Sequence, residues 1–214
     1  MTGRISLRLT DPFSKIAKDI NEAIAIEANK RVKKNLPKVR GTLRRFVRAW
    51  VERQPEIASL SSDGEPDSLN AEFGLLPGMG ELAVSQIIDA VSNSINIIFK
   101  PYNNKLGGSV EIQIQPTDFQ NILNIPAGTV ITKRGISLDW LEWLLTRGDS
   151  IIIIGYSYTP GSGGRSGGGT MSSGGAFRVD PQYSGTTENN FVTRAFDHPA
   201  RQKDISRLFQ SLFD

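Results

Sequence analysis

The chain has no cysteine and a single histidine, His198, in 214 residues. Without thiols there can be no disulfide, no thiolate nucleophile, no iron–sulfur cluster and no cysteine-ligated zinc. A histidine-based metal site would need three carboxylates from elsewhere, and a catalytic triad would have one base to draw on. Metalloenzyme and triad-hydrolase chemistry are therefore disfavoured. Long apolar runs are missing as well: none exceeds the four residues Ile151 to Ile154. That is far short of the roughly 18 residues a membrane helix needs. The start, MTGRISLRLT, lacks the apolar core of a secretory signal. The expected protein neither spans a membrane nor carries such a signal.

What the chain does contain is an ordinary globular balance, 38% hydrophobic and 22% charged residues, which argues against global disorder and fits one domain. The net charge of +3 conceals an asymmetry. Residues 28–53 (ANKRVKKNLPKVRGTLRRFVRAWVER) hold ten Lys or Arg against one Glu, so +9 sits there and −6 on the remaining residues. The charge is local, not global.

Periodicity predicts the elements. Asp11 reads as an N-cap and Pro12 as the first residue of an amphipathic helix to Val32, with Phe13, Ile16, Ala17, Ile20, Ala23, Ile24 and Ala28 at helical spacing. Pro37 is expected to interrupt it. Leu43, Phe46, Val47, Trp50 and Val51 then mark a second helix ending before Pro55, with Arg44, Arg45, Arg48 and Glu52 on its opposite face. Glu56 to Glu72, with five acidic and no basic residues, reads as an exposed loop with at most a short turn near Leu69. Val84, Ile87, Ile88, Val91 and Ile95 predict a third helix after Pro77-Gly78, running into a strand at Ile95 to Phe99.

In the second half Val110, Ile112 and Ile114 alternate with Glu111, Gln113 and Gln115, the pattern of a strand buried on one face. Gly128 to Thr132 is a shorter strand. Ser137 is a candidate cap for a short helix whose Trp140, Leu141, Trp143, Leu144 and Leu145 are too apolar for one stripe. Ser150 to Tyr158 reads as a central strand and Ala176 to Val179 as its return. Ile205, Leu208, Phe209, Leu212 and Phe213 close the chain as an amphipathic helix starting near Pro199 or Asp204. The order predicts a single α+β domain over 1–214: a helical part about 11–96, a mostly antiparallel sheet about 95–180 with one inserted short helix and a Gly-rich hairpin arm at 159–175, and a C-terminal helix about 199–213.

The stretch GSGGRSGGGT follows a strand, where a phosphate-binding loop would sit, but no Lys follows the glycines and no helix opens after them. Two roles remain: a plain flexible hairpin tip, or an arm ordered against a neighbouring subunit through Gly163, Gly164, Arg165, Gly167 and Gly168. The basic segment offers Arg40, Arg44, Arg45 and Arg48, near Trp50, as partner or nucleic-acid contacts. Three roles are open to it: neutralising phosphates, lying solvated, or pairing with an acidic subunit surface. Asp139 and Glu142, at i, i+3 with Arg147 nearby, are explained by charge at a helix N-terminus rather than as an acid/base pair. Trp140 and Trp143 are expected as core or interface anchors. No catalytic, cofactor or metal site is expected, and neither a membrane nor a small-molecule substrate as partner.

The long amphipathic helix followed by KKNLPKVRGTLRRFV resembles the signature of the neck and tail-completion proteins of long-tailed bacteriophages. Pro37, Gly41, Leu43 and Arg44 are the matching positions, and Arg40 stands where that signature has a small residue. LDWLEWLLTRGDSIIIIGYSY, GGRSGGGTM and TTENNFVTRAF are likewise similar to virion structural proteins of contractile-tailed phages. The resemblance implies a non-enzymatic α+β subunit, made in the host cytoplasm and carried in the virion. It would form a ring with identical copies between the portal or adaptor and the tail tube, terminator or sheath, with DNA contact permitted. The alternative from the residues themselves is a basic-helix DNA-binding module.

Overall fold

Forty residues, Phe13–Glu52, form one helix, α1, about 60 Å long at 1.5 Å per residue. The expected break at Pro37 does not occur: Pro37 lies inside the helix, on its exposed side. Proline removes one backbone donor and crowds the carbonyl four residues back. Here Lys33 and Pro37 both lie on the exposed side of the helix, while Val32, Val39, Leu43 and Val47 bury a continuous inner face across the site. The N-terminus also differs from expectation. Pro12 is the N-cap, and Asp11 pairs with Lys15 at 3.1 Å instead of capping.

The structure is a computed structural model that describes residues 10–114, 118–131, 135 and 137–214. The acidic stretch 56–72 is not the exposed loop its composition predicts. It holds α2 (Pro55–Ser61) and α3 (Leu69–Glu72), with Glu56, Ile57, Leu60, Leu69 and Asn70 buried. Several of its polar residues bond within the stretch. Ser68 caps α3 by accepting from Ala71 N, Ser59 Oγ accepts from Leu69 N, and Asn70 donates to Leu60 O and to Asp63 Oδ1. Next, α4 (Met79–Asn93) starts where Pro77-Gly78 foretells and packs on α1 and α2. A side chain at Gly80 would run into the Leu60 carbonyl, so this close crossing requires glycine.

The strands form three separate antiparallel pairs rather than one sheet. β1 (Asn96–Lys100) pairs with β2 (Ser109–Gln113), whose half-buried alternation follows its sequence pattern. After α5 (Gln120–Leu123) and a 3-10 turn at Pro126–Gly128, β3 (Val130–Ile131) pairs with β4 (Ser137–Leu138). Ser137 thus belongs to a ladder and does not cap α6 (Leu141–Leu145), which starts after Trp140. Trp140 is fully buried, donates to Ala127 O at 3.1 Å and lies 5.0 Å from the Phe73 ring, so it is a core anchor.

β5 (Ile153–Pro160) is not central. Among the described residues its one ladder partner is β6 (Gly169–Phe177), and Ile154 is 79% exposed. Helices α7 (Phe191–Phe196) and α8 (Pro199–Gln210) complete the chain. His198 is the α8 N-cap, accepting from Ala200 N through Nδ1. Asn35 and Arg31 of α1 donate to the carbonyls of Leu212 and Phe213, tying the C-terminus to α1. One core of buried side chains runs from Val32 through α4 and α6 to Leu212 in this α+β fold.

Candidate interaction surfaces

On one side of α1, residues 13, 16, 20, 24, 27, 31, 34, 38, 41 and 45 share one line by the 3.6-residue period, which Phe213 of the C-terminus meets at Ile24, Glu27 and Arg31. The first four are Phe13, Ile16, Ile20 and Ile24, of which Phe13 is 81% exposed and Ile20 54%. A Glu27–Arg31 ion pair at 2.8 Å follows, with the guanidinium holding the Glu27 carboxyl below its usual range. Lys34, Lys38, Gly41 and Arg45 complete the line, all exposed.

The apolar third of that line is a second face of the helix. The residues buried against the body, Ala25, Val32, Val39 and Leu43, lie roughly 120° round the helix from Ile20 at 3.6 residues per turn. Between Phe13 and Ile24 no side chain is buried. Periodicity alone suggested an ordinary core-facing stripe here. What could have shown otherwise is the change of phase after Ile24, since one helix cannot press two faces a third of a turn apart onto the same small body.

The sequence-selected arginines do not form one free face. Arg48 pairs with Asp89 on α4, and Arg40 and Arg44 are half-buried with their Nε atoms out of reach of water. Arg45 alone of the four is exposed, donating to Thr42 Oγ1 at 3.1 Å. Arg44, Arg45 and Arg48, expected together on the face opposite the apolar one, thus differ in surroundings, and Arg48→Glu would set a carboxylate against Asp89. Trp50 is unavailable to any partner, being 6% exposed against Phe196 and under the Arg201 guanidinium.

The Gly-rich segment is a hairpin whose tip lies against the molecule's own body. Ser166, Gly168 and Gly169 are buried, and a side chain at Gly168 would strike Ala71 Cβ and the Glu65 backbone. Arg165 donates to Gly74 O and, at 3.1 Å, to Ile131 O. Gly164 and Gly167 turn the tip at φ 78° and 79°, where side chains are strained, and Gly163 packs on Thr170. The return strand begins at Gly169, earlier than the expected Ala176, because the glycines themselves supply the ladder.

Beneath the tip, Glu72 is largely buried with Oε2 unbonded. Burial first, and then the Asp180 and Asp67 carboxylates, push its pKa up to about 7. Glu56, fully buried beside Arg194, is also raised, since burial outweighs its ion pair. Neither was visible as special in the sequence. Asp139 and Glu142 flank a shallow polar hollow of about 350 Å³ with Gln120, Asn124 and Thr129. Asp139 accepts from Thr129 and Glu142 pairs with Arg147, which accounts for both carboxylates structurally.

Among the described residues no group of three His, Asp or Glu side chains could hold a metal ion, and no helix is long and apolar enough to cross a membrane. Comparison of the chain with protein-family models, with curated proteins and with solved structures finds no match.

Proposed function

We propose that the chain is a structural assembly subunit, and that its place is the neck or tail-completion ring of a long-tailed phage, joining portal or adaptor to tail tube, terminator or sheath. The observation that carries the assembly reading is the apolar line of α1, in which Phe13, Ile20 and Ile24 are exposed and Ile16 is half-buried. Apolar area of this kind costs about 25 cal/mol for each Å² left in water, and rows of it mark contact surfaces. The phage placement rests on the resemblance of KKNLPKVRGTLRRFV and of the Gly-rich region to those proteins. A ring subunit needs two different contact surfaces per copy. The α1 line supplies one and the strands β5 and β6, which contain no Asp, Glu, Lys or Arg, offer the other. Negative-stain images of the purified full chain test this: closed rings of uniform diameter are expected, and particles no larger than one chain at every concentration would overturn it.

A further inference from the structure

The Gly-rich tip and the carboxyl of Glu72 meet at α3, and their contact carries an inference that does not depend on assembly. Side chains at Gly167 and Gly168 would meet the Gly64 backbone, Ala71 Cβ and the Glu65 backbone, and Arg165 donates to Gly74 O. Ser166 is buried there. Beside them the Tyr158 hydroxyl donates to Gly168 O at 2.9 Å and also reaches the Asp67 backbone. Glu72 falls between the Ala71 and Gly74 contacts, and its Oε2 is shut from water with no hydrogen-bond partner among the described residues. The groups that act on it are anionic or neutral: Asp67 from the turn before α3, Asp180 from the turn after β6, and Tyr158 from β5. The nearby cations are engaged elsewhere, Arg165 with the Gly74 and Ile131 carbonyls and Arg178 with Asp149.

Once ionised, a carboxylate in this place needs water, and two movements could bring it. Unwinding α3 would expose Leu69, Asn70, Ala71, Phe73 and Leu75, all of them buried. Lifting the tip breaks the Arg165 hydrogen bonds and uncovers Ser166 and glycine backbone, while the ladder of β5 on β6 stays made. The tip is therefore the element that opens first, since local opening follows the fewest buried apolar contacts. Burial, then Asp180 and Asp67, raise the Glu72 pKa to about 7 in the docked state, against an ordinary 4.5 once hydrated. Docking is thus strongest below pH 4.5, weakens as pH rises to about 7, and changes no further above it.

We infer that the tip, Gly163 to Gly169, is a pH-released latch, docked on α3 while the Glu72 carboxyl is protonated and lifted from it when that carboxylate is charged. Because the chain has no cysteine, Ser166→Cys places one thiol under the docked tip, and its reaction with a maleimide reads release. Divided by the rate of an unstructured cysteine peptide at the same pH, its rate should rise by up to tenfold per pH unit between about pH 5 and 7 and then level off. Adding Glu72→Gln should hold the ratio at its low-pH value throughout. Adding Asp67→Asn/Asp180→Asn instead, which keeps Glu72 but removes its anionic neighbours, should make the rise level off at lower pH. Tryptic cleavage after Arg165 in the unsubstituted chain, normalised to a peptide substrate, should rise in the same way between about pH 6 and 7. Ratios independent of pH in both measurements, or a rise that persists with Glu72→Gln, would overturn the inference.

Discussion

Glu56 and Arg194 show how unequal two partners in an ion pair can be. The carboxylate is fully buried and the arginine side chain is 35% exposed. Removing the arginine strands a buried charge, whereas neutralising the glutamate removes the charge that needed a partner. Arg194→Ala is therefore expected to cost about 2–3 kcal/mol in urea unfolding, and Glu56→Gln distinctly less. Equal losses would mean that packing, not charge, sets the contribution. Glu72 behaves differently because it has no cation. Its folded pKa, about 7, lies above the ordinary 4.5, so the folded state binds a proton that the unfolded state has released. Stability from this residue is full below pH 4.5 and is lost as pH rises to about 7. Glu72→Gln should thus gain about 2–3 kcal/mol above the folded pKa and nothing below the unfolded one. A gain that is the same at both ends would show that the carboxyl is not the titrating group.

The hairpin tip is the element whose behaviour depends most on one contact. Gly168 sits on Ala71 and the Glu65 backbone, and Tyr158 Oη donates to Gly168 O at 2.9 Å. Gly168→Val would force the tip off the body at about 1–3 kcal/mol, leaving Arg165 open to trypsin. Faster cleavage at Arg165 with the remaining fold intact is the expected result, and an unchanged rate would mean that the tip is not held there. Helices with strong apolar spacing, α4 and α8, were legible in the sequence, as were β1, β2 and the existence of the hairpin. Pro37 and the acidic stretch misled for a common reason: local composition reports what a segment does in water. A packed inner face from Val32 to Val47 outweighs one proline on the exposed side. Likewise, Ser59, Ser68 and Asn70 bonding inward turn a loop-like composition into two short helices.

At the scale of the molecule, the α+β class follows from the order of periodicities, but which faces stay uncovered does not. The apolar residues of α1 read as one stripe until the side chains buried against the body are seen to be those of the face of Ala25, Val32 and Leu43. The basic run likewise pointed to four arginines, of which Arg40 and Arg44 are half-buried and Arg48 is paired, while the outermost cations are mostly lysines. Sequence spacing fixes which residues share a line, and only tertiary packing decides which line faces out. The central claim is that the uncovered line Phe13 to Ile24 joins subunits. Sedimentation velocity of the full chain over a range of concentrations, beside Ile20→Asp/Ile24→Asp, tests it most directly. The wild type should form a discrete multi-subunit species and the variant should remain a monomer with unchanged circular dichroism. A wild type that stays monomeric throughout, or a variant that assembles as the wild type does, would contradict the account.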